Sequence, residues 1–227
     1  MIISLKKIRA ATHERGPELF PCPAKFFYQR RLRREVDRTN NNSSTVVLDI
    51  GCADLKYRRL FGYRSYFGVD RDADALRSGA SRWLGRFDFT LIEMDICDLP
   101  GQVPKGDVVV CGHTLAHLTS DQRRATLVAL AKHLKPGGTM VVQAPTGCVS
   151  LSEVSHLFTQ VAVIDYGSAL SQWYSDYFHL RTSSRSVIGL LQIGLGIITA
   201  WPISFFERVG HPKSSQLLIG RGFSDPD

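Results

Sequence analysis

A chain of 227 residues with 44% hydrophobic content suits one domain with a real core and some elaboration, and a second catalytic domain would not fit comfortably. Its five cysteines, Cys22, Cys52, Cys97, Cys111 and Cys148, show no metal-ligand spacing and an odd count, which argues against structural zinc and against a disulfide framework. The formal charge of +7 is unevenly placed, because residues 1–38 hold ten lysines and arginines against four acids. The basic character therefore belongs to an N-terminal arm.

That arm, residues 1–44, contains Phe26-Phe27-Tyr28-Gln29-Arg30-Arg31-Leu32-Arg33-Arg34, which predicts a basic helix with aromatic residues near one end. Such a helix either caps the core as a solvated leading element or meets anionic lipid or phosphate. Lys6 and Lys7 bring charge too early for the apolar run of a secretory signal, so a cytoplasmic protein is expected. Asn40-Asn41-Asn42-Ser43-Ser44 is a polar break, and the main domain is expected over 45–227. Strand-length apolar runs follow at Thr45–Ile50, Tyr66–Val69, Phe87–Met94, Asp107–Cys111, Thr139–Gln143, Val161–Tyr166 and Gln216–Ile219. The clearest helix is Ser120–Lys135, with Leu127, Leu130, Ala131 and Leu134 at helical spacing and Pro136-Gly137-Gly138 as its stop. Strand and helix alternate, which implies a mostly parallel sheet with helices on both faces.

The chemistry lies at the strand ends. Val46-Val47-Leu48-Asp49-Ile50-Gly51 followed by Tyr66-Phe67-Gly68-Val69-Asp70 reads as strand, Gly turn, helix, strand, acid. Asp70 stands 19 positions after Gly51, near the spacing of about 20 at which a carboxylate meets ribose hydroxyls. Ala53 and Leu55 occupy the places of a second and third glycine, so the full dinucleotide fingerprint is absent. Asp95 and Ile96 close a further strand in a way that suits an adenine amine and ring face. His113 and His117 follow the strand that ends at Cys111.

In this order and at these distances, Asp49-x-Gly51, Asp70, Asp95-Ile96-Cys97-Asp98-Leu99-Pro100 and Leu134-Lys135-Pro136-Gly137-Gly138 resemble the class I S-adenosylmethionine-dependent methyltransferases. The resemblance covers residues 45–166 and the last strand near 215–220. It implies a Rossmann-like, doubly wound α/β sheet of seven strands, mostly parallel with an antiparallel strand near the C-terminus. It also implies S-adenosyl-L-methionine as cofactor, with Asp49 and Gly51 flanking its methionine part, Asp70 on the ribose, and Asp95 with Ile96 on the adenine. Cys111, at the end of its strand, joins that cofactor-binding set. The segment Gly51-Cys52-Ala53-Asp54-Leu55-Lys56-Tyr57-Arg58-Arg59-Leu60-Phe61 is closest to methyltransferases of bacterial surface-polysaccharide and lipid-linked glycan assembly. Two positions depart from the family. Ala53 replaces its second glycine, which would strain a turn that needs positive φ, and Ala116 replaces the acid of its Leu-Glu-His motif.

Transfer from a sulfonium needs alignment and, for a hydroxyl acceptor, a base. His117 and His113 are the catalytic candidates. No metal constellation is visible. The expected activity is O-methylation of a hydroxyl on a glycan, lipid-linked saccharide or similar small molecule. Alternatives are a quinone-like lipid acceptor and a non-catalytic binding protein that kept the fold. Nucleic acid is a poor fit, because the basic charge sits on one arm without aromatic interleaving elsewhere.

Finally, Ser186–Phe206 is a run of 21 residues without a charge, inside an insertion expected at about 168–213. One crossing between two strands of the same sheet would put them on opposite sides of a bilayer, which excludes a simple span. The run is read as a lid over the acceptor pocket or as an element dipping into an anionic membrane surface beside the basic arm. Asp176 and His179, just before it, are expected to line the acceptor site.

Overall fold

A computed structural model describes residues 2–3, 23–39, 44–62, 64–99, 103–168 and 213–223. Asp176, His179 and the apolar run 186–206 lie outside the described residues. In chain order the elements are β1 (Ile2–Ile3), α1 (Pro23–Arg38), β2 (Val46–Ile50), β3 (Ser65–Asp70), α2 (Ala73–Trp83), β4 (Thr90–Glu93), β5 (Gly106–Gly112), α3 (Ser120–Lys132), β6 (Leu134–Pro145), α4 (Leu151–Val154), β7 (Phe158–Ser168) and β8 (Lys213–Phe223).

They form one sheet in the order β1-β4-β3-β2-β5-β6-β8-β7. Strands β4, β3, β2, β5 and β6 are parallel to their neighbours, and β8 runs against both β6 and β7. This is the expected Rossmann-like, doubly wound seven-stranded sheet, to which the two-residue β1 adds an antiparallel edge on β4. The chain reverses its direction of winding between β2 and β5, and a crevice forms at the carboxyl ends of those strands.

Period-two alternation builds a core on each face. Leu48, Ile50, Val109, Cys111, Met140 and Val142 point to the face covered by α3 residues Leu127, Leu130 and Ala131. Val47, Val108, Val110 and Val141 point to the other face, which Tyr28, Leu32 and Val36 of α1 and Leu76 and Ala80 of α2 cover. These strands therefore read as continuous apolar runs, because both of their faces are buried. The basic segment does form a helix, and α1 caps the core through residues at helical spacing while Arg30, Arg33 and Arg34 face outward. Glu35 of α1 is fully buried, forms an ion pair with Arg31 whose Nε lies 3.0 Å away, and accepts from Arg38 Nη1 at 3.2 Å and from Arg221 of β8.

Two boundaries differ from the sequence reading. Helix α3 ends at Lys132 rather than Lys135, because the His133 carbonyl already accepts from Gly106 N–H and Leu134 pairs with Gly106 in the sheet. Strand β4 spans only Thr90–Glu93 of the expected Phe87–Met94. No helix among the described residues is long and apolar enough to cross a membrane.

Candidate functional site

The loop from Gly51 to Tyr57 is shaped by its neighbours. Gly51 sits at φ +73°, and a Cβ there would fall 1.8 Å from Thr114 Oγ1, so only glycine fits. Gly51 and Cys52 N–H both donate to the Val69 carbonyl. Ala53 N–H donates to Asp70 Oδ2 at 2.7 Å. From α2, Arg82 pairs with Asp54 at 2.9 Å and Trp83 Nε1 donates to the Leu55 carbonyl at 3.0 Å. Arg58, fully buried between the Tyr66 and Phe87 rings, donates to the carbonyls of Gly62 and Asp88. The Tyr-Arg-x-Leu-Phe tail is thus a structural peg under the loop.

These elements enclose a cavity of about 400 Å³ at the winding reversal. Asp49, Gly51, Asp70, Asp95 and Ile96 line it, and so do His113 and His117. Cys111 does not. It is completely buried in the core below, its thiol pushed up to about 12 by burial. Alternation along β5 explains the correction, because Gly112 and not Cys111 faces the crevice. Lys56, Tyr57, Arg71, Thr114 and Gln122 also line the cavity. The sequence reading had quoted Lys56 and Tyr57 only as part of a family segment.

The carboxylates differ in state. Burial pushes Asp49 up to about 6, against the opposing pull of the Tyr66 hydroxyl, which donates to it at 2.7 Å, and of Lys56. Asp95 is held below the usual carboxylate range by the N–H of Cys97. Asp70 accepts one backbone N–H on each oxygen, from Ala53 and from Asp72 at 2.9 Å, which leaves each oxygen a second lone pair for a ligand hydroxyl.

On the β5 side, His113 stands at φ +61° and donates its N–H to the Gln143 carbonyl at 2.8 Å. Burial pushes its imidazole down to about 4, and the charges of Lys56 and His117 add to the effect. The ring is therefore neutral at physiological pH. His117 is exposed one short turn further on, and Ala116 between them also faces solvent. The expected strain at Ala53 is present, since its φ is +48°. No cluster of three or more metal-ligating side chains occurs among the described residues.

The arrangement is that of the class I methyltransferase fold. Residues 47–138 match the family model described as a methyltransferase domain. No curated protein matches the chain. Among solved structures, the N-methyltransferase NodS from Bradyrhizobium japonicum WM9 in complex with S-adenosyl-L-homocysteine is 14% identical, with 88% of each chain covered and a TM-score of 0.58. Magnesium protoporphyrin IX methyltransferase from Synechocystis PCC 6803 with bound SAM is 12% identical, with 88% of this chain and 80% of that one covered and a TM-score of 0.56. A SAM-dependent methyltransferase from Archaeoglobus fulgidus is 16% identical, with 87% and 94% covered and a TM-score of 0.55. At such identities the likeness is one of fold.

Proposed function

We propose that the protein is an S-adenosylmethionine-dependent methyltransferase that O-methylates a hydroxyl of a glycan, a lipid-linked saccharide or a similar small molecule. The pocket fits that cofactor. Asp70 keeps free lone pairs for ribose hydroxyls, the ionised Asp95 can accept an adenine amine, and Ile96 offers an apolar cover. The cofactor supplies an activated methyl group when bound, so the protein's share is alignment and removal of one proton.

The observation that carries the hydroxyl reading is the pair of imidazoles on one turn at the β5 side of the pocket. His113, kept neutral by burial, accepts a hydrogen bond from the acceptor hydroxyl and orients it. An imidazole with its pKa pushed down to about 4 is a weak base that retains a proton poorly. Proton removal is therefore assigned to His117, exposed at the mouth and able to pass the proton to water. The outward arginines of α1 suit the anionic inner face of a membrane carrying a lipid-linked acceptor, which makes the protein cytoplasmic and peripherally attached.

Labelled methyl transfer to a panel of saccharides and lipid-linked saccharides tests this reading. His117→Ala is expected to lower kcat about 100-fold or more while affinity for S-adenosylhomocysteine stays unchanged. His113→Asn, which tolerates the left-handed backbone, is expected chiefly to raise the acceptor KM. Turnover indifferent to both substitutions, or a methylated amine as product, would overturn it. An acid limb near pH 4 in the rate profile would move the base from His117 to His113.

A further inference from the structure

The turn that carries His117 is held by a side chain outside the pocket lining. Residues Thr114–His117 form a single 3-10 turn, and His117, exposed at its end, makes no side-chain hydrogen bond among the described residues. A turn this short has little stability of its own, and its last carbonyls need partners from elsewhere. Arg123, half-buried in the first turn of α3, supplies them. Its Nε donates to the Leu115 carbonyl at 3.4 Å and its Nη2 to the Leu118 carbonyl at 3.2 Å, which flank His117 in the chain. Its Nη1 donates to the Cys148 carbonyl at 2.5 Å, in the loop between β6 and α4.

That loop is itself fixed to the sheet. The buried Gln216 of β8 accepts from Gly147 N–H at 3.2 Å and donates through Nε2 to the Val149 carbonyl at 2.7 Å. A continuous linkage therefore runs from β8 through Gln216, the 147–149 loop and Arg123 to the carbonyls on either side of His117. A guanidinium suits such a bridge, because its planar fork aims several N–H donors in fixed directions and its charge strengthens each bond. All three nitrogens of Arg123 are directed to main-chain oxygens, and no carboxylate pairs with it among the described residues. His113 is held separately, by its own N–H on the Gln143 carbonyl. We infer that Arg123 is a positioning residue for methyl transfer. It fixes the main chain around His117, so that the imidazole stays aligned with the acceptor hydroxyl, while acceptor binding at His113 and cofactor binding do not depend on it.

This inference rests on the proposed role of His117, and a double-mutant cycle in the full chain separates the two. Turnover is measured on the saccharide that the acceptor panel selects. Arg123→Gln is expected to lower kcat about 10- to 100-fold, with the acceptor KM and the affinity for S-adenosylhomocysteine each within about twofold of wild type. Arg123→Lys keeps the charge but cannot span three carbonyls, and should recover part of the rate. Arg124→Gln removes the same charge from the exposed neighbouring position and should leave kcat unchanged. In the His117→Ala background, Arg123→Gln should cost less than about threefold more, because a residue that acts through His117 has nothing left to align. Binding of S-adenosylhomocysteine shows that each variant is folded, and if Arg123→Gln fails to fold, Arg123→Lys carries the same cycle. Equal slowing in both backgrounds, a loss confined to KM or to cofactor affinity, or an unchanged kcat would overturn the inference. A His117→Ala variant as fast as wild type, or wild type that methylates nothing in the panel, would instead overturn the reading of function, and this inference with it.

Discussion

In the seam between α1 and β8, Glu35 is buried yet met by three arginines, and the Thr39 hydroxyl reaches Thr139 Oγ1 at 3.1 Å. At the carboxyl edge of the same sheet, Asp49 is buried with its pKa displaced upward, and Tyr28 Oη and Gln143 Oε1 have no partner. The only non-glycine residues at positive φ among the described residues are Ala53, Leu55 and His113, all in the two turns of that edge. The seam spends its polar groups on holding the arm to the sheet. The edge keeps the backbone strain that the seam lacks, and strain of this kind clusters at functional sites.

The sharpest break in this contrast is Glu35→Ala. It removes the one acid that gathers three guanidinium groups and leaves a void on the sheet, at an expected cost of about 3 kcal/mol. That figure stays at the low end because the arginines are partly exposed and rehydrate. Urea denaturation measures it. A cost below about 0.5 kcal/mol would mean that the seam is held by apolar contacts alone.

Asp49 gives the opposite sign. Burial raises its folded pKa to about 6, above the ordinary carboxylate value, so folding favours its protonated form. The associated stability is fully present below pH 4 and is lost as pH rises through 6. Asp49→Asn, which can still accept from the Tyr66 hydroxyl, should raise ligand-free stability at pH 7.5 by about 2 to 3 kcal/mol and flatten its dependence between pH 4 and 7. Unchanged pH dependence in the variant would place the titrating group elsewhere. Asp70→Asn acts through binding instead, since an amide offers one acceptor oxygen where two N–H groups now donate. A loss of about 30-fold in S-adenosylhomocysteine affinity, roughly 2 kcal/mol, is expected from calorimetry.

The same contrast explains what could be read from the residues alone. Strands buried on both faces announce themselves as apolar runs, and the mostly parallel sheet with helices on both faces followed from their alternation with helices. Asp49, Gly51, Asp70 and Asp95 line the cavity because each stands at or just beyond the carboxyl end of its strand, the edge where such sheets bind ligands. Cys111 was misplaced by one residue, which in a strand is the whole difference between core and crevice. The unpartnered state of Tyr28 Oη and Gln143 Oε1 was not legible for another reason. Each is one polar group in an otherwise apolar pattern, and its lack of a partner is a three-dimensional fact with no local signature. The strain at Ala53 was legible, because the family has glycine there.

Ala53 therefore offers the finest test of the contrast. Its backbone lies at φ +48°, where a Cβ costs roughly 1 kcal/mol or more that glycine does not pay. Ala53→Gly also keeps the N–H that reaches Asp70. Although glycine raises the entropy of the unfolded chain, the relief of strain should win, giving a net gain of about 0.5 to 1 kcal/mol and a rise in Tm of roughly 2–4 °C. The identical substitution at Ala125, on the exposed face of α3, removes no strain and should lower stability by about 1 kcal/mol. Opposite signs for one chemical change, measured side by side by thermal melting, would show that the edge of the sheet stores strain that the helices do not. Equal losses at both positions would mean that the left-handed turn at Ala53 is relaxed by its hydrogen bond to Asp70, and that the edge is no more strained than the rest of the fold.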